Sequence, residues 1–161
     1  MADYIALVPM TRALMHEMFR DFAPDPDLFS DMSLYERARN YVYTRERIDA
    51  LYDRREAEAD SLSFAVMLNG EAIGEVCLKH INRAAGECSM SIHLKNDAVK
   101  NRGYGTRAER LAVDYAFGAL GLVRVRADSI IKNARSQRVL EKAGFRFQRE
   151  ADGFRHYMIE A

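Results

Sequence analysis

Seven consecutive residues, Lys100-Asn101-Arg102-Gly103-Tyr104-Gly105-Thr106, carry the strongest chemical signal in the chain. Glycines two positions apart let the backbone approach a bulky anion without an intervening Cβ, and Lys100, Arg102 and Arg107 add positive charge. The residues that follow read as a helix, so free N–H groups and the positive end of a helix dipole coincide at this loop. Such a place binds phosphate. Gly103 to Ala108 also satisfies the G-x-G-x-x-A form of the dinucleotide fingerprint. In that fold the first glycine directly follows a buried strand, whereas here the polar stretch Lys95 to Arg102 intervenes. Too few residues follow for a second mononucleotide half. A Walker loop is excluded because Gly-Lys-Ser/Thr is missing.

A second segment runs from Asn133 to Phe145, with Asn at a helix start and Gly144-Phe145 at its end. Asn133 can cap that helix with its side-chain oxygen and offer its amide to a ligand. Together the two segments resemble the GNAT N-acetyltransferase superfamily, whose acetyl-CoA loop has the form Gln/Arg-x-x-Gly-x-Gly/Ala at a helix start. Lys100-x-x-Gly103-x-Gly105 matches it with one basic substitution. The resemblance covers Phe64 to the C-terminus and is closest to the branch of ribosomal-protein N-terminal and spermidine acetyltransferases. It implies acetyl-CoA as cosubstrate, held by Lys100, Asn101, Arg102, Gly103, Tyr104, Gly105 and Thr106 together with Asn133, Arg135 and Ser136. It also implies a pantetheine arm between the fourth and fifth strands, against the backbone of Met90, Ile92 and Leu94. Many members carry a tyrosine in the second segment that protonates the departing thiolate; the matching position here is Leu140. Ser136 is the natural replacement, since a hydroxyl can donate to a thiolate.

Acetyl transfer to an amine needs the neutral amine, so a base must collect a proton. Three candidates lie on the strands beside the expected cleft. Glu75 alternates onto the face of Ile73 and Cys77, an apolar setting that would raise its pKa. Glu87 and His93 share the polar face of one strand but stand about 20 Å apart, too far to share a proton. His16, His80 and His156 have no partner at metal-ligand spacing, and no metal is expected. The acidic run Asp21, Asp25, Asp27 and Asp31 reads as a solvated loop that would attract a cationic amine if folded over the cleft.

The elements that must position these groups follow from periodicity. Thr11 to Phe22 reads as a helix capped by Thr11; Leu34, Tyr35, Ala38, Tyr41 and Val42 resume the helical pattern towards Ala59. Phe64–Leu68 and Ala72–His80 flank Asn69-Gly70 as a hairpin. Residues Glu87 to Leu94 alternate as a strand. The helix after the glycine loop shows a stripe of Ala108, Leu111, Ala112, Tyr115, Ala116 and Leu120, with Arg107, Glu109, Arg110 and Asp114 off it. Val123–Ser129, Phe145–Gln148 and His156–Glu160 read as strands, and Asn133–Ala143 as a short helix. The fold class is α/β (α+β). The expected architecture is a GNAT-like mixed, splayed sheet of about six to seven strands flanked by about four helices. One domain spans 1–161, with a helical acceptor-side part in 1–60 and an acetyl-CoA-binding core in 61–161.

Composition agrees with a folded domain: 161 residues, 48% hydrophobic and 30% charged. Lys plus Arg and Asp plus Glu both number 24, so no net field steers the chain onto nucleic acid or an anionic membrane. Cys77 and Cys88 read as buried free thiols of a reducing compartment, and no leader or spanning segment is visible, which makes the cytoplasm the expected location. The functional expectation is direct transfer of acetyl from acetyl-CoA to a primary amine, on a small molecule or a peptide N-terminus. A non-catalytic acyl-CoA sensor is the alternative, made thinkable by Leu140. Relatives are often dimers and the C-terminal strands are a natural place to pair, so the resemblance implies a homodimer.

Overall fold

The computed structural model describes residues 3–23 and 40–161. Strand β1 (Ile5–Pro9) is followed by helices α1 (Arg12–Arg20) and α2 (Arg45–Glu56), then by the meander β2 (Leu62–Leu68), β3 (Glu71–Asn82) and β4 (Glu87–Leu94). A 3-10 turn at Asp97–Val99 leads into helix α3 (Tyr104–Gly118), strand β5 (Arg124–Ile130), helix α4 (Ala134–Lys142) and the hairpin β6 (Arg146–Ala151) and β7 (Phe154–Glu160). The seven strands form one sheet in the order β1-β2-β3-β4-β5-β7-β6. Every neighbouring pair is antiparallel except β4 and β5, whose parallel pairing requires the crossover that carries α3. This is the mixed α/β architecture expected from the sequence.

Local chemistry sets most boundaries. Thr11 and Thr44 cap α1 and α2 by accepting from the N–H groups of Leu14 and Arg47, each at 3.2 Å. The β2–β3 turn places Asn69 and Gly70 at φ +50° and +90°, the left-handed pair that a two-residue hairpin demands. Strand β1 escapes the sequence reading, which expects residues 1–60 to be helical. Its five residues show no alternation and end in proline, which an edge strand tolerates. It pairs antiparallel with β2 from Ile5↔Leu68 to Pro9↔Phe64. The expected helical residues Leu34, Tyr35 and Ala38 and the acids Asp25, Asp27 and Asp31 lie outside the described residues.

Each face of the sheet has its own core. On one, α3 and α4 cover Phe64, Val66, Val76, Leu78, Met90, Val125 and Ala127; on the other, α1 and α2 pack Met15, Met18, Phe19 and Ile48 on Ala65 and Ala72. The alternation along β3 does not run through unbroken. Val66 pairs with Gly74 and Met67 with Ala72, so Ile73 is an extra residue, a β-bulge. The bulge turns Ile73 into the α3 core while Glu75 and Ala72 serve the opposite face, which corrects the expectation that Ile73 and Glu75 share one. Gly74 beside it is obligatory: a Cβ there would lie 2.6 Å from the carbonyl oxygen of His93.

Helix α3 also departs from its expected stripe. Its buried residues are Tyr104, Ala108, Glu109, Ala112, Val113 and Ala116, whereas Leu111 and Tyr115 stay more than a third exposed. The helix packs on α4 as well as on the sheet: a Cβ at Gly105 would sit 3.5 Å from Val139, and Arg110 Nη2 donates to the Lys142 carbonyl at 2.5 Å. A second packing partner widens the buried sector and encloses Glu109, one turn on from Gly105. Among the described residues no helix is long and apolar enough to cross a membrane.

Candidate active site

The sheet opens between β4 and β5. These strands pair only at Glu87↔Arg124, Cys88↔Val125 and Ser89↔Arg126, although β4 continues to Leu94 and β5 to Ile130. Beyond the last pair, β4 stays bound to β3 up to Leu94↔Gly74, and β5 to β7 up to Ile130↔Phe154. Among the described residues, no strand pairs with the β5-facing backbone of Met90 to Leu94, whose donors and acceptors suit a ligand with amide groups.

The glycine loop lies where β4 hands over to α3. Gly103 is the N-cap at φ +80°, and among the described residues no side chain caps this helix, whereas Thr11, Thr44 and Asn133 cap the other three described helices. The first-turn N–H groups, Tyr104, Gly105 and Thr106 among them, are left for an anion. Nothing lies within 4 Å of a Cβ built on Gly103, so its left-handed backbone, and not crowding within the chain, calls for glycine. Asn101 is left-handed too, at φ +60°. The loop's side chains serve mainly to hold its shape. Tyr104 is buried, with its hydroxyl donating to Asp3 Oδ2 at 2.7 Å; Arg102 Nε donates to the Ala98 carbonyl, and Lys100 pairs with Asp97 at 3.4 Å. Arg107, expected to add charge, donates to the Asp3 carbonyl at 2.6 Å. The bond from Tyr104 lowers the pKa of Asp3 and raises that of Tyr104.

At the start of α4, Asn133 Oδ1 accepts from the Ser136 N–H at 3.1 Å, so Asn133 acts as the cap. Arg135 and Ser136 are half-buried beside it. Leu140 is 2% exposed in the core shared with Tyr104 and Ala108.

On the face turned to α1 and α2, the residues Ala65, Glu75 and His93 stand in one row across β2, β3 and β4. Glu75 is fully buried. One of its oxygens is held by Arg55 of α2, and the other lies 3.5 Å from His93 Nε2. His93 is otherwise bounded by the rings of Phe19 and Phe22, with centroids at 6.2 and 5.6 Å. Loss of hydration lowers the His93 pKa, with the Glu75 charge working in the opposite direction. In the next row, Ser63 Oγ is 3.4 Å from Cys77 Sγ, and burial pushes the Cys77 thiol up. The apolar setting inferred for Glu75 is thus an ion-paired one. Nothing in the sequence marks Arg55, one of several charges in a helical run.

Glu87 stands at the closed end of the opening. Arg124 at 3.1 Å and Arg126 at 3.4 Å hold it, and the bond from Arg124 lowers its pKa. His156, isolated in sequence, pairs with Asp128: Nδ1 to Oδ1 is 2.6 Å. Asp21 of the acidic run pairs with buried Lys95, which also binds Glu71 at 2.8 Å. No group of three or more His, Cys, Asp or Glu among the described residues is arranged to hold a metal ion.

Comparison with known proteins meets the same architecture. The chain matches the acetyltransferase (GNAT) domain over residues 5–146. It is 37% identical to "Probable N-acetyltransferase YjcK" of Bacillus subtilis strain 168 across 74% of this chain and 67% of that protein. It is 29% identical to spermidine N(1)-acetyltransferase of Escherichia coli K12, where the match spans 62% of this chain and 53% of the relative. Mycobacterium smegmatis RimJ in complex with CoA-disulfide shares the fold with a TM-score of 0.80 at 21% identity, over 98% of this chain and 82% of RimJ. Aminoglycoside acetyltransferase AAC(6')-Ib in complex with coenzyme A does so with 0.76 at 19%, over 98% and 95%. A parallel strand pair that parts beside an uncapped helix start, matched by the family over most of the chain, leads to one assignment: the chain belongs to the GNAT family, as an acetyl-CoA-dependent N-acetyltransferase.

Proposed function

We propose that the chain transfers acetyl directly to a primary amine, on a small molecule or a peptide N-terminus, with both substrates bound together. The observation that carries this is the Arg55–Glu75–His93 row beside the opened β4 edge. Acetyl-CoA supplies an acetyl group activated as a thioester. The residues present suit it: the uncapped start of α3 at Gly103 to Thr106 accepts the pyrophosphate, with Lys100, Asn101 and Arg102 shaping the loop. The free backbone of Met90, Ile92 and Leu94 receives the pantetheine amides and holds the oxygen on which negative charge develops. Asn133 orders the start of α4, where Arg135 and Ser136 are half-buried and are assigned to the cofactor by the family resemblance.

His93 takes the proton from the attacking amine. With Nε2 turned towards Glu75, Nδ1 carries the lone pair that accepts it, and the lowered pKa keeps the ring neutral and ready near pH 7. Glu75, 3.5 Å from Nε2, steadies the imidazolium once formed, and Arg55 supplies the counter-charge to its buried carboxylate. Glu87 is already held by two arginines and stays outside this path. The Ser136 hydroxyl passes its proton to the leaving thiolate and takes in turn the second proton of the acylated nitrogen, a relay the buried Leu140 cannot fill. No acyl-enzyme is required.

The test is a melting-temperature shift of the purified protein with acetyl-CoA, followed by thiol release across a panel of primary amines. Gly105→Asp puts a carboxylate into the loop and is expected to abolish the shift while the protein alone still melts cooperatively. Absence of any shift in the wild type at millimolar acetyl-CoA would refute the reading.

A further inference from the structure

The opening between β4 and β5 has two walls on the face turned to α1 and α2. On the β4 wall His93 stands in front, with Glu75 behind it on β3. On the β5 wall the core-facing residues are Val125 and Ala127, so Arg126 and Asp128 project from the opposite face, the one that bears Ser89 and His93. Arg126 is the register partner of Ser89 in the last paired step. Asp128 therefore stands one alternation beyond the point where the strands part, on the rim of the cleft. Its own register partner on β7 is His156, whose Nδ1 lies 2.6 Å from Asp128 Oδ1.

The two walls carry the same pair in inverted order. On β4 an imidazole faces the cleft and a carboxylate backs it; on β5 a carboxylate faces the cleft and an imidazole backs it. On β5 itself the two arginines that share the Asp128 face, Arg124 and Arg126, both hold Glu87, while Arg149 of β6 stands behind His156 in the same row. The Asp128 side chain keeps 54% of its surface accessible, against 26% for His156, so the carboxylate has room for a second partner.

We infer that Asp128, oriented by His156, docks the acceptor amine in its cationic form across the cleft from the β4 wall that carries His93, one alternation further along. Asp128 is then a specificity-determining residue and His156 a positioning residue. The step balances across the acceptor, the thioester and the chain: the ammonium donates hydrogen bonds to Asp128, one N–H bond breaks as its proton passes to His93, the freed lone pair forms the N–C bond as the thioester C–S bond breaks, and the second N–H proton ends on the departing thiolate. A neutral hydroxyl compound gains nothing comparable from Asp128, which makes the site selective for amines over alcohols. The inference rests on the acetyltransferase reading of the same cleft.

Benzylamine and benzyl alcohol test it, since they share a ring and differ in charge. With the protein saturated in coenzyme A, benzylamine is expected to raise the melting temperature further and benzyl alcohol not to. Asp128→Asn is expected to keep the coenzyme A shift and lose the benzylamine increment; His156→Gln, which retains a hydrogen-bond donor, keeps part of it. In thiol release, Asp128→Asn is expected to raise the benzylamine KM about tenfold with the acetyl-CoA KM unchanged, a split that general destabilisation would not produce. Equal shifts for the two probes in the wild type, or a benzylamine increment that survives Asp128→Asn, would overturn the inference and leave the acetyltransferase reading standing. If Asp128→Asn fails to fold, Asp128→Ser takes its place under the same criteria. A wild type without any coenzyme A shift would overturn both.

Discussion

Glu109 is a carboxyl group 1% exposed on α3, with one oxygen buried and without a hydrogen-bond partner among the described residues. Burial pushes its pKa up from 4.5 to about 8. A carboxyl whose folded pKa lies above its unfolded value binds the proton more tightly when folded, so stability is highest at low pH and declines as pH rises from the unfolded pKa to the folded one. The window for this group is pH 4.5 to about 8. Linkage then gives a loss of about 2 kcal/mol between pH 6 and 8, and a total penalty of about 3 kcal/mol at pH 7. For a chain of this size each kcal/mol moves the melting temperature by about 2–4 °C. Glu109→Gln keeps the shape of the protonated acid and removes the titration. The variant is expected to melt about 6–12 °C above the wild type at pH 7, with the gap widening towards pH 8 and closing towards pH 5. Calorimetry of both proteins from pH 5 to 9 measures the gap, and the difference between them cancels every other titrating group. A gap that is constant with pH, or a Gln variant no more stable than the wild type at pH 8, would refute the assignment of Glu109 as a buried neutral acid at the α3–α4 contact.

Three further outcomes are expected. His93→Gln should lower kcat about 10²–10⁴-fold with little change in the acetyl-CoA KM; the wild-type rate should fall as pH drops through the His93 pKa, below the ordinary 6.5, and a pH–rate profile should lose that limb in the variant. Arg55→Met leaves the carboxylate of fully buried Glu75 without its cation and should cost about 3–5 kcal/mol in urea unfolding, most of it recovered in Arg55→Met/Glu75→Gln. Gly74→Ala forces β3 away from the His93 carbonyl, 2.6 Å from the new Cβ; both melting temperature and kcat should fall, and a variant as stable and active as the wild type would show that the bulge yields freely.

Much of the fold is legible in the order of its residues. The Asn69-Gly70 turn, the β4 alternation, the Thr11 and Asn133 caps and the Gly103 helix start are local features, decided by backbone preferences within a few residues, and each lies where the sequence places it. The parallel β4–β5 pair is implied by strand-helix-strand order, because a parallel neighbour needs a crossover. Strand β1 is not legible, since five unpatterned residues become a strand only when β2 offers them an edge. Nor is the exposure of Leu111 or the burial of Glu109: periodicity along α3 marks one packing direction, and α4 supplies another. The Ile73 bulge reverses one residue's face, which a period-two count cannot register. The chemistry divides in the same way. Sequence determined the loop proposed to receive a phosphate, because that site is built from consecutive N–H groups. Only the tertiary structure decided which acid meets which base: Arg55, Glu75 and His93 converge from one helix and two strands, and Asp128 meets His156 across a strand pair 28 positions apart. Side-chain pairs of that kind depend on register and on the parting of two strands, neither of which is encoded by spacing along the chain.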